Sequence, residues 1–168
     1  MHANYITMNI VLDINDIDKR NLFYCDPVNN TVMDDSVFIR TGYTNELFTL
    51  NGIYIECPLM INKIDKYFHK YKYIFEYNSN MSLIDSLIKL ERVVIGNYNL
   101  NGLIPVYKLR DQLLSLHIRV FENDENLDIP LNSGNYNFTL KISGLWKNND
   151  SCGLTFKFFS QHSTLSVS

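Results

Sequence analysis

Residues 135–159 read NYNFTLKISGLWKNNDSCGLTFKFF, two alternating runs separated by a short polar turn. Side chains alternate between the two faces of a β-strand, so this period predicts an antiparallel hairpin with one apolar and one polar face. The positions predicted to face the core are Tyr136, Phe138, Leu140, Ile142, Leu154, Phe156 and Phe158. The opposite face carries Lys141, Lys157 and Phe159. The hairpin therefore predicts a domain in which β-sheet dominates.

Other β-prone runs lie upstream of this hairpin. Strands are predicted at 5–12, 22–25, 37–43 and 116–121. The dipeptide Asn51-Gly52 separates two further β-rich runs and predicts a two-residue type I′ hairpin.

Only one segment has clear helical periodicity. Between 82 and 95, apolar residues recur at the spacing of one helix face, and Gly96 follows at the predicted end. Ser82 and Asn80 are alternative caps for the start of this helix. A second short helix is predicted at 107–114.

These elements indicate one domain. About seven strands with one central helix predict an α+β, mostly β fold, either a small Greek-key or OB-like barrel or a sandwich capped by a helix. The length of 168 residues and the hydrophobic fraction of 46% fit a single globular domain over 1–160. Residues 161–168 are predicted to be a frayed tail.

Composition excludes several classes of protein. A net charge of −3 and a pI near 5.7 argue against a protein that holds duplex DNA by bulk positive charge. Cys25, Cys57 and Cys152 lack CxxC spacing, so neither a disulfide framework nor a zinc site is expected. No apolar run is long enough to span a membrane, and no signal peptide is evident. We therefore expect an intracellular protein without a membrane partner.

Residues 63–77, KIDKYFHKYKYIFEY, interleave four lysines with six aromatic rings. Lysine binds phosphates, and a base stacked on an aromatic ring contributes about 1–3 kcal/mol, so the mixture is typical of single-strand nucleic-acid surfaces. If the segment is extended, Tyr71 and Tyr73 lie on one face and Lys70 and Lys72 on the other. The alternative is a core strand whose tyrosines are buried and whose lysines are solvated.

A second group of residues repeats this chemistry. If strand 116–121 and the final hairpin share a sheet, their outward side chains Arg119, Phe121, Lys141, Lys157 and Phe159 share a face. Trp146, beside the turn, is a candidate stacking residue, with the end of the core as its alternative place. The predicted nucleic-acid-binding residues are Lys66, Tyr67, Lys70, Tyr71, Lys72, Tyr73, Arg119, Phe121, Lys141, Trp146 and Lys157.

Catalytic and metal-binding motifs are not evident. The run DINDID at 13–18 offers three carboxylates but lacks the glycine of a calcium loop. The four histidines show no HExxH spacing, and no P-loop, G-x-S-x-G or G-x-G-x-x-G occurs. We therefore expect neither an enzyme nor a cofactor.

The C-terminal hairpin also resembles a hairpin in an uncharacterised protein family of large DNA viruses, LKISGxW followed after a polar turn by GLT(F/Y)KF. Residues 40–56 and 70–91 are similar to the middle of those proteins. The position after the tryptophan departs from the pattern, because it is Lys147 where an acidic residue is expected. The resemblance implies a viral origin, which agrees with a chain rich in asparagine, isoleucine, tyrosine and lysine in which Ala3 is the only alanine.

These observations give two functional hypotheses. The first is a non-enzymatic protein of a large DNA virus that binds single-stranded DNA or RNA through stacked bases and phosphate contacts. The second is a viral structural or assembly protein whose aromatic face binds another copy of itself or a viral partner. Both place the protein in the infected host cell or the virion.

Overall fold

The computed structural model describes residues 10–121 and 131–161. Two 3-10 turns, Ile14–Asp16 and Lys19–Asn21, precede the sheet. The strands are β1 Leu22–Tyr24, β2 Val28–Asn29, β3 Val37–Thr44, β4 Thr49–Leu50, β5 Ile53–Ile61, β6 Lys63–Tyr67, β7 Lys70–Ile74, β8 Ile104–Val106, β9 His117–Phe121, β10 Gly134–Lys147 and β11 Ser151–Ser160. The helices are α1 Tyr77–Asn97 and α2 Lys108–Leu114.

All eleven strands of the described residues belong to one mixed sheet. Its main order is β1-β3-β10-β11-β9-β7-β6, with β2 and β4 on β3, β5 on β10 and β8 on β11. β8 and β9 run parallel to β11, and the other pairs are antiparallel. The α+β, mostly β prediction is confirmed. The sheet is not closed, so the barrel alternative needs correction, and four of its strands have only two or three residues.

The β10–β11 hairpin forms as its alternation predicts. Asn148 builds its turn, because Oδ1 of that side chain accepts hydrogen bonds from the backbone N–H groups of Asp150 and Ser151 at 2.9 and 2.7 Å. β10 pairs with β5 along its first part and with β3 over Gly144–Lys147, with a register shift between Ile142 and Gly144. This one long strand therefore joins two parts of the sheet.

Helix α1 contains the predicted 82–95 segment but begins earlier, at Tyr77. Neither Ser82 nor Asn80 caps it, so both cap predictions are wrong. Asn80 instead lies inside the helix, where its side chain accepts a hydrogen bond from the Met60 N–H at 2.8 Å and donates to the Met60 carbonyl at 3.1 Å. This amide fixes α1 against β5, a role that a local capping pattern does not reveal.

The two helices are joined through a buried carboxylate. Glu91 of α1 accepts hydrogen bonds from the N–H groups of Leu109 and Arg110 at 3.0 and 2.8 Å. These groups begin α2, where backbone donors have no helical partner. The buried carboxylate of Glu91 therefore supplies the acceptors for the first backbone N–H groups of α2. Helix α2 itself forms in the predicted 107–114 segment.

One face of the curved sheet, called here the inner face, packs on the helices. Its strands contribute Tyr73, Ile118, Phe138 and Phe158, and α1 contributes Ile84, Leu87, Val94 and Ile95, all almost fully buried. The rings of Tyr73 on β7 and Phe138 on β10 lie 4.7 Å apart, although two strands separate β7 from β10 in the sheet. The sheet therefore curls around this core.

The Asn51-Gly52 hairpin prediction is wrong. β4 pairs with β3 and β5 pairs with β10, so the two segments flanking the dipeptide do not pair with each other. A type I′ turn needs positive φ at both central residues, and only Gly52 has it. The tight turn lies earlier, where Asn45 accepts hydrogen bonds from the N–H groups of Leu47 and Phe48.

Some predictions fall partly on residues outside the described ranges. Of the strand predicted at 5–12, residues 5–9 lie outside them, and Leu12 forms a single parallel bridge with Ile55. Of the predicted tail, residues 162–168 lie outside the described ranges.

The three cysteines are free thiols, and burial raises the pKa of Cys57 to about 12.

Candidate nucleic-acid interface

The face of the sheet opposite the helices, called here the outer face, carries the candidate site. Alternation along β7 and β9 turns Tyr71, Tyr73, Ile118 and Val120 inward. It leaves Lys70, Lys72, Arg119 and Phe121 exposed. The prediction that Lys70 and Lys72 lie opposite the tyrosines is confirmed.

Strand register places four cations side by side on the outer face. Lys141 of β10 lies opposite Lys157 of β11, and Arg119 of β9 lies opposite Lys72 of β7. The pairing of Phe158 with Val120 sets Lys157 level with Arg119. We call Lys141, Lys157, Arg119 and Lys72 the cation row, which crosses four neighbouring strands.

A second row runs beside the first, two residues along each strand. The same registers set Phe159 level with Phe121, Phe121 opposite Lys70, and Lys70 opposite Tyr67 of β6. Phe121 is 47% exposed and Tyr67 is 71% exposed. We call Phe159, Phe121, Lys70 and Tyr67 the aromatic row. The sequence predicts that Phe159 shares a face with Phe121, although Phe159 is not among the predicted binding residues.

The positive charge of the cation row is not balanced by ion pairs within the described part of the chain. Like charges directly opposite each other in a sheet destabilise it. Among the described residues, ion pairs join Arg20 to Asp18, Lys63 to Asp65 and Arg110 to Asp111, and none of these pairs involves the cation row. Asp65, opposite Lys72, is thus already engaged by Lys63 at 2.8 Å. The row is therefore a concentration of positive charge without an ion pair among the described residues.

The cations lie close to the rings. The ammonium groups of Lys70 and Lys157 lie 5.1 and 5.7 Å from the centre of the Phe121 ring, and Lys157 lies 5.0 Å from that of Phe159. Such exposed contacts contribute about 0.5–1 kcal/mol each. A phosphate and its base are therefore both within reach of this part of the outer face.

Three predicted stacking residues are not accessible. Tyr71 and Tyr73 are 3% and 1% exposed, because they belong to the core under the helices. Their prediction as base-stacking residues is wrong, and the core alternative is right for this strand. Trp146 is 8% exposed and packs over Gly153, where an added Cβ would meet its ring at 2.8 Å. Its ring is covered there, although Trp146 does not belong to the core cluster that contains Leu145 and Leu154.

Lys66 is exposed but lies on the wrong side. It is opposite Tyr71 in the β6–β7 pair, and its ammonium group lies 5.3 Å from the centre of the Tyr71 ring. It therefore belongs to the inner side of the hairpin, away from the cation row. The two-residue turn Phe68-His69 is the signal that could have shown this, because it pairs Tyr67 with Lys70 and Lys66 with Tyr71.

The acidic run at 13–18 serves local structure. Asp13 accepts a hydrogen bond from the N–H of Asn15, and Asp18 accepts one from that of Arg20, which caps the two 3-10 turns. The Arg20 guanidinium lowers the pKa of Asp18 to about 2. Among the residues that the structure describes, no group of three or more acidic, histidine or cysteine side chains is placed to hold a metal.

Comparison with protein-family models, with curated proteins and with solved structures gives no significant match. Within the described ranges, neither helix is long and apolar enough to cross a membrane. The resemblance to a family of large DNA viruses stays a prediction.

Proposed function

We propose that this protein binds single-stranded nucleic acid on the outer face of its sheet, without catalysing a reaction. The observation that carries the proposal is the cation row, four like charges brought together from four strands of a protein whose net charge is negative. Such a row costs stability when the protein is alone and gains stability when a polyanion neutralises it. A chain of phosphates is the polyanion that fits a row.

The aromatic row favours a single strand over a duplex. Exposed rings stack on the faces of bases, and those faces are accessible only where a base is unpaired. Phe121 and Tyr67 are exposed beside the cations, which is the combination that single-strand-binding surfaces use. A large DNA virus, which the sequence resemblance implies, is a setting in which such a protein serves replication. The sheet is open, and a Greek-key or OB-like strand order stays a prediction.

Fluorescence anisotropy with a labelled oligo-dT tests the proposal. We expect binding at micromolar protein that weakens as salt rises, because phosphate contacts release counterions. Lys72→Gln and Lys66→Gln are a matched pair, since both lysines are exposed and only Lys72 lies on the outer face. We expect Lys72→Gln to weaken binding and Lys66→Gln to leave it nearly unchanged. Equal effects, or no salt-sensitive binding, would contradict the proposal.

A protein interface is the second candidate, favoured by the tip of the β6–β7 hairpin. Tyr67 and Phe68 are both largely exposed there, with ring centres 4.9 Å apart. Exposed aromatic residues are enriched at protein interfaces. A dimer in sizing chromatography that Tyr67→Ser converts to a monomer, together with absent oligo-dT binding, would support this function over the first.

A further inference from the structure

We infer that the bound strand crosses the sheet perpendicular to its β-strands, with phosphates on the cation row and bases on the aromatic row. This inference rests on the proposed function and specifies the path of the strand on the outer face. The two rows are parallel and share β11, β9 and β7 in the same order, and Lys70 lies between the rings of Phe121 and Tyr67 in the aromatic row. Each row therefore offers a path for one component of a nucleotide chain.

The separation of the rows matches one nucleotide. Lys157 and Phe159 are two residues apart on β11, and Arg119 and Phe121 are two apart on β9. Residues i and i+2 of a strand lie on the same face about 7 Å apart. A phosphate on the first member of each pair places the attached base over the second.

A path along the β-strands is disfavoured by the composition of each strand. On the outer face, β9 offers one cation and one ring, Arg119 and Phe121, before it ends. β7 offers Lys70 and Lys72 and no ring. An oligonucleotide that follows either of these β-strands meets at most two binding residues, whereas the perpendicular path meets five cations and three rings.

The length of the cation row sets the size of the site. Neighbouring strands lie about 4.8 Å apart, so four strands span about 14 Å. A stacked strand rises by about 3.4 Å per nucleotide along its axis, so this span corresponds to about four nucleotides. We therefore expect affinity to rise steeply with oligo-dT length up to about four nucleotides and only slowly beyond that length.

Salt dependence and abasic oligonucleotides separate the two rows. Four phosphate contacts predict a slope of log affinity against log salt of about −2.8, which Arg119→Gln reduces to about −2.1. Phe121→Leu should lower affinity about 5- to 150-fold with the slope unchanged, since a base contact releases no counterions. On an abasic strand, which keeps the phosphates and lacks bases, Phe121→Leu should have no effect. Tyr67→Leu repeats the test on another strand of the sheet.

The outcomes distinguish this inference from the proposed function. If wild-type protein binds with the expected slope, but Phe121→Leu and Tyr67→Leu act equally on abasic and normal strands, the division between rows is wrong and single-strand binding stands. If the protein does not bind oligo-dT, both fail. Far-UV circular dichroism and the fluorescence of Trp146 check that each variant is folded, because this tryptophan is the only one and is buried.

Discussion

Arg119 lies at the centre of the cation row, between Lys72 on one side and Lys157 on the other. Its guanidinium has no recorded ion pair within the described residues, so it is repelled from both sides. We expect Arg119→Gln to raise the free energy of unfolding by about 0.2–1 kcal/mol at low salt. The gain should shrink as salt rises, because exposed charges are screened.

Urea unfolding followed by Trp146 fluorescence measures this effect. Lys66→Gln is the control, because Lys66 is an exposed cation of the neighbouring β6–β7 hairpin and contacts Tyr71 on the inner side of the sheet. It should give no gain. A loss of stability in Arg119→Gln that does not depend on salt would show that the row is not under electrostatic strain. The combination of higher stability and weaker binding is typical of a residue kept for function.

Residue chemistry also sets the limit of sequence-based prediction at this site. Tyrosine and phenylalanine beside lysine are equally suited to a base-stacking surface and to a core strand with a solvated face. Tyr71 and Tyr73 became core because α1 and α2 cover their side of the sheet, which no local pattern specifies. Phe121 stayed exposed because it lies on the other side. The sequence thus predicts which residue types occur together, but not which side of the sheet the helices cover.

At the scale of elements, β10 depends on a close approach of two backbones. A Cβ on Gly144 would overlap the carbonyl oxygen of Ile39 and lie 3.0 Å from Arg40 Cα. Gly144→Ala should therefore push β10 away from β3 and lower the free energy of unfolding by about 2 kcal/mol. Gly96→Ala is the matched control, because nothing lies within 4 Å of its added Cβ and the helix gains about 0.5–1 kcal/mol.

Thermal or urea unfolding of the two alanine variants tests this account. We expect opposite signs, with Gly144→Ala less stable and Gly96→Ala more stable than wild type. Equal behaviour of the two variants would mean that the β3–β10 contact is looser than the structure indicates.

The junction of α1 and α2 depends on Glu91. Glu91→Ala leaves the N–H groups of Leu109 and Arg110 without their acceptor, and we expect a loss of about 2–4 kcal/mol. Arg92→Ala, at an exposed position of the same helix, should change stability little. A small loss in Glu91→Ala would contradict the capping role.

Glu91 also predicts a pH dependence. Burial raises its pKa above the ordinary value of 4.5, so the folded protein holds this proton more tightly than the unfolded chain does. The contribution of Glu91 is therefore largest below about pH 4.5 and falls as pH rises through its folded pKa. Relative to Glu91→Gln, the free energy of unfolding of wild type should fall over the interval in which pH rises from about 4.5 to the folded pKa of Glu91. A rise over that interval would contradict the direction.

Elements were predictable where their pattern is local. The β10–β11 hairpin and α1 follow from alternation and helical period, because each exposes one face and buries the other. The prediction of a hairpin at Asn51-Gly52 is wrong because β4 has only two residues and pairs with β3 through the turn at Asn45. β4 is therefore not available to pair with β5. β9 lies beside β11 because of long-range packing, so the sequence does not reveal the register that aligns the two rows.

At the scale of the whole molecule, the helices and the candidate site occupy opposite sides of one curved sheet. The inner face supplies the core, so the outer face is free to collect charges and rings that contribute little to folding. The net charge of −3 means that the rest of the molecule is acidic. A polyanion is therefore attracted to the cation row although the net charge of the whole chain is negative.

Photocrosslinking is the most direct test of nucleic-acid binding on the outer face, because it maps the bound strand on the unmodified protein. An oligonucleotide carrying iodouracil is irradiated with wild-type protein, and the crosslinked peptides are identified by mass spectrometry. We expect crosslinks at rings of the outer face, namely Phe121, Phe159 and Tyr67. Crosslinks confined to rings elsewhere, such as Tyr77 or Tyr98 of the α1 region, would contradict it, as would the absence of any crosslink at saturating protein.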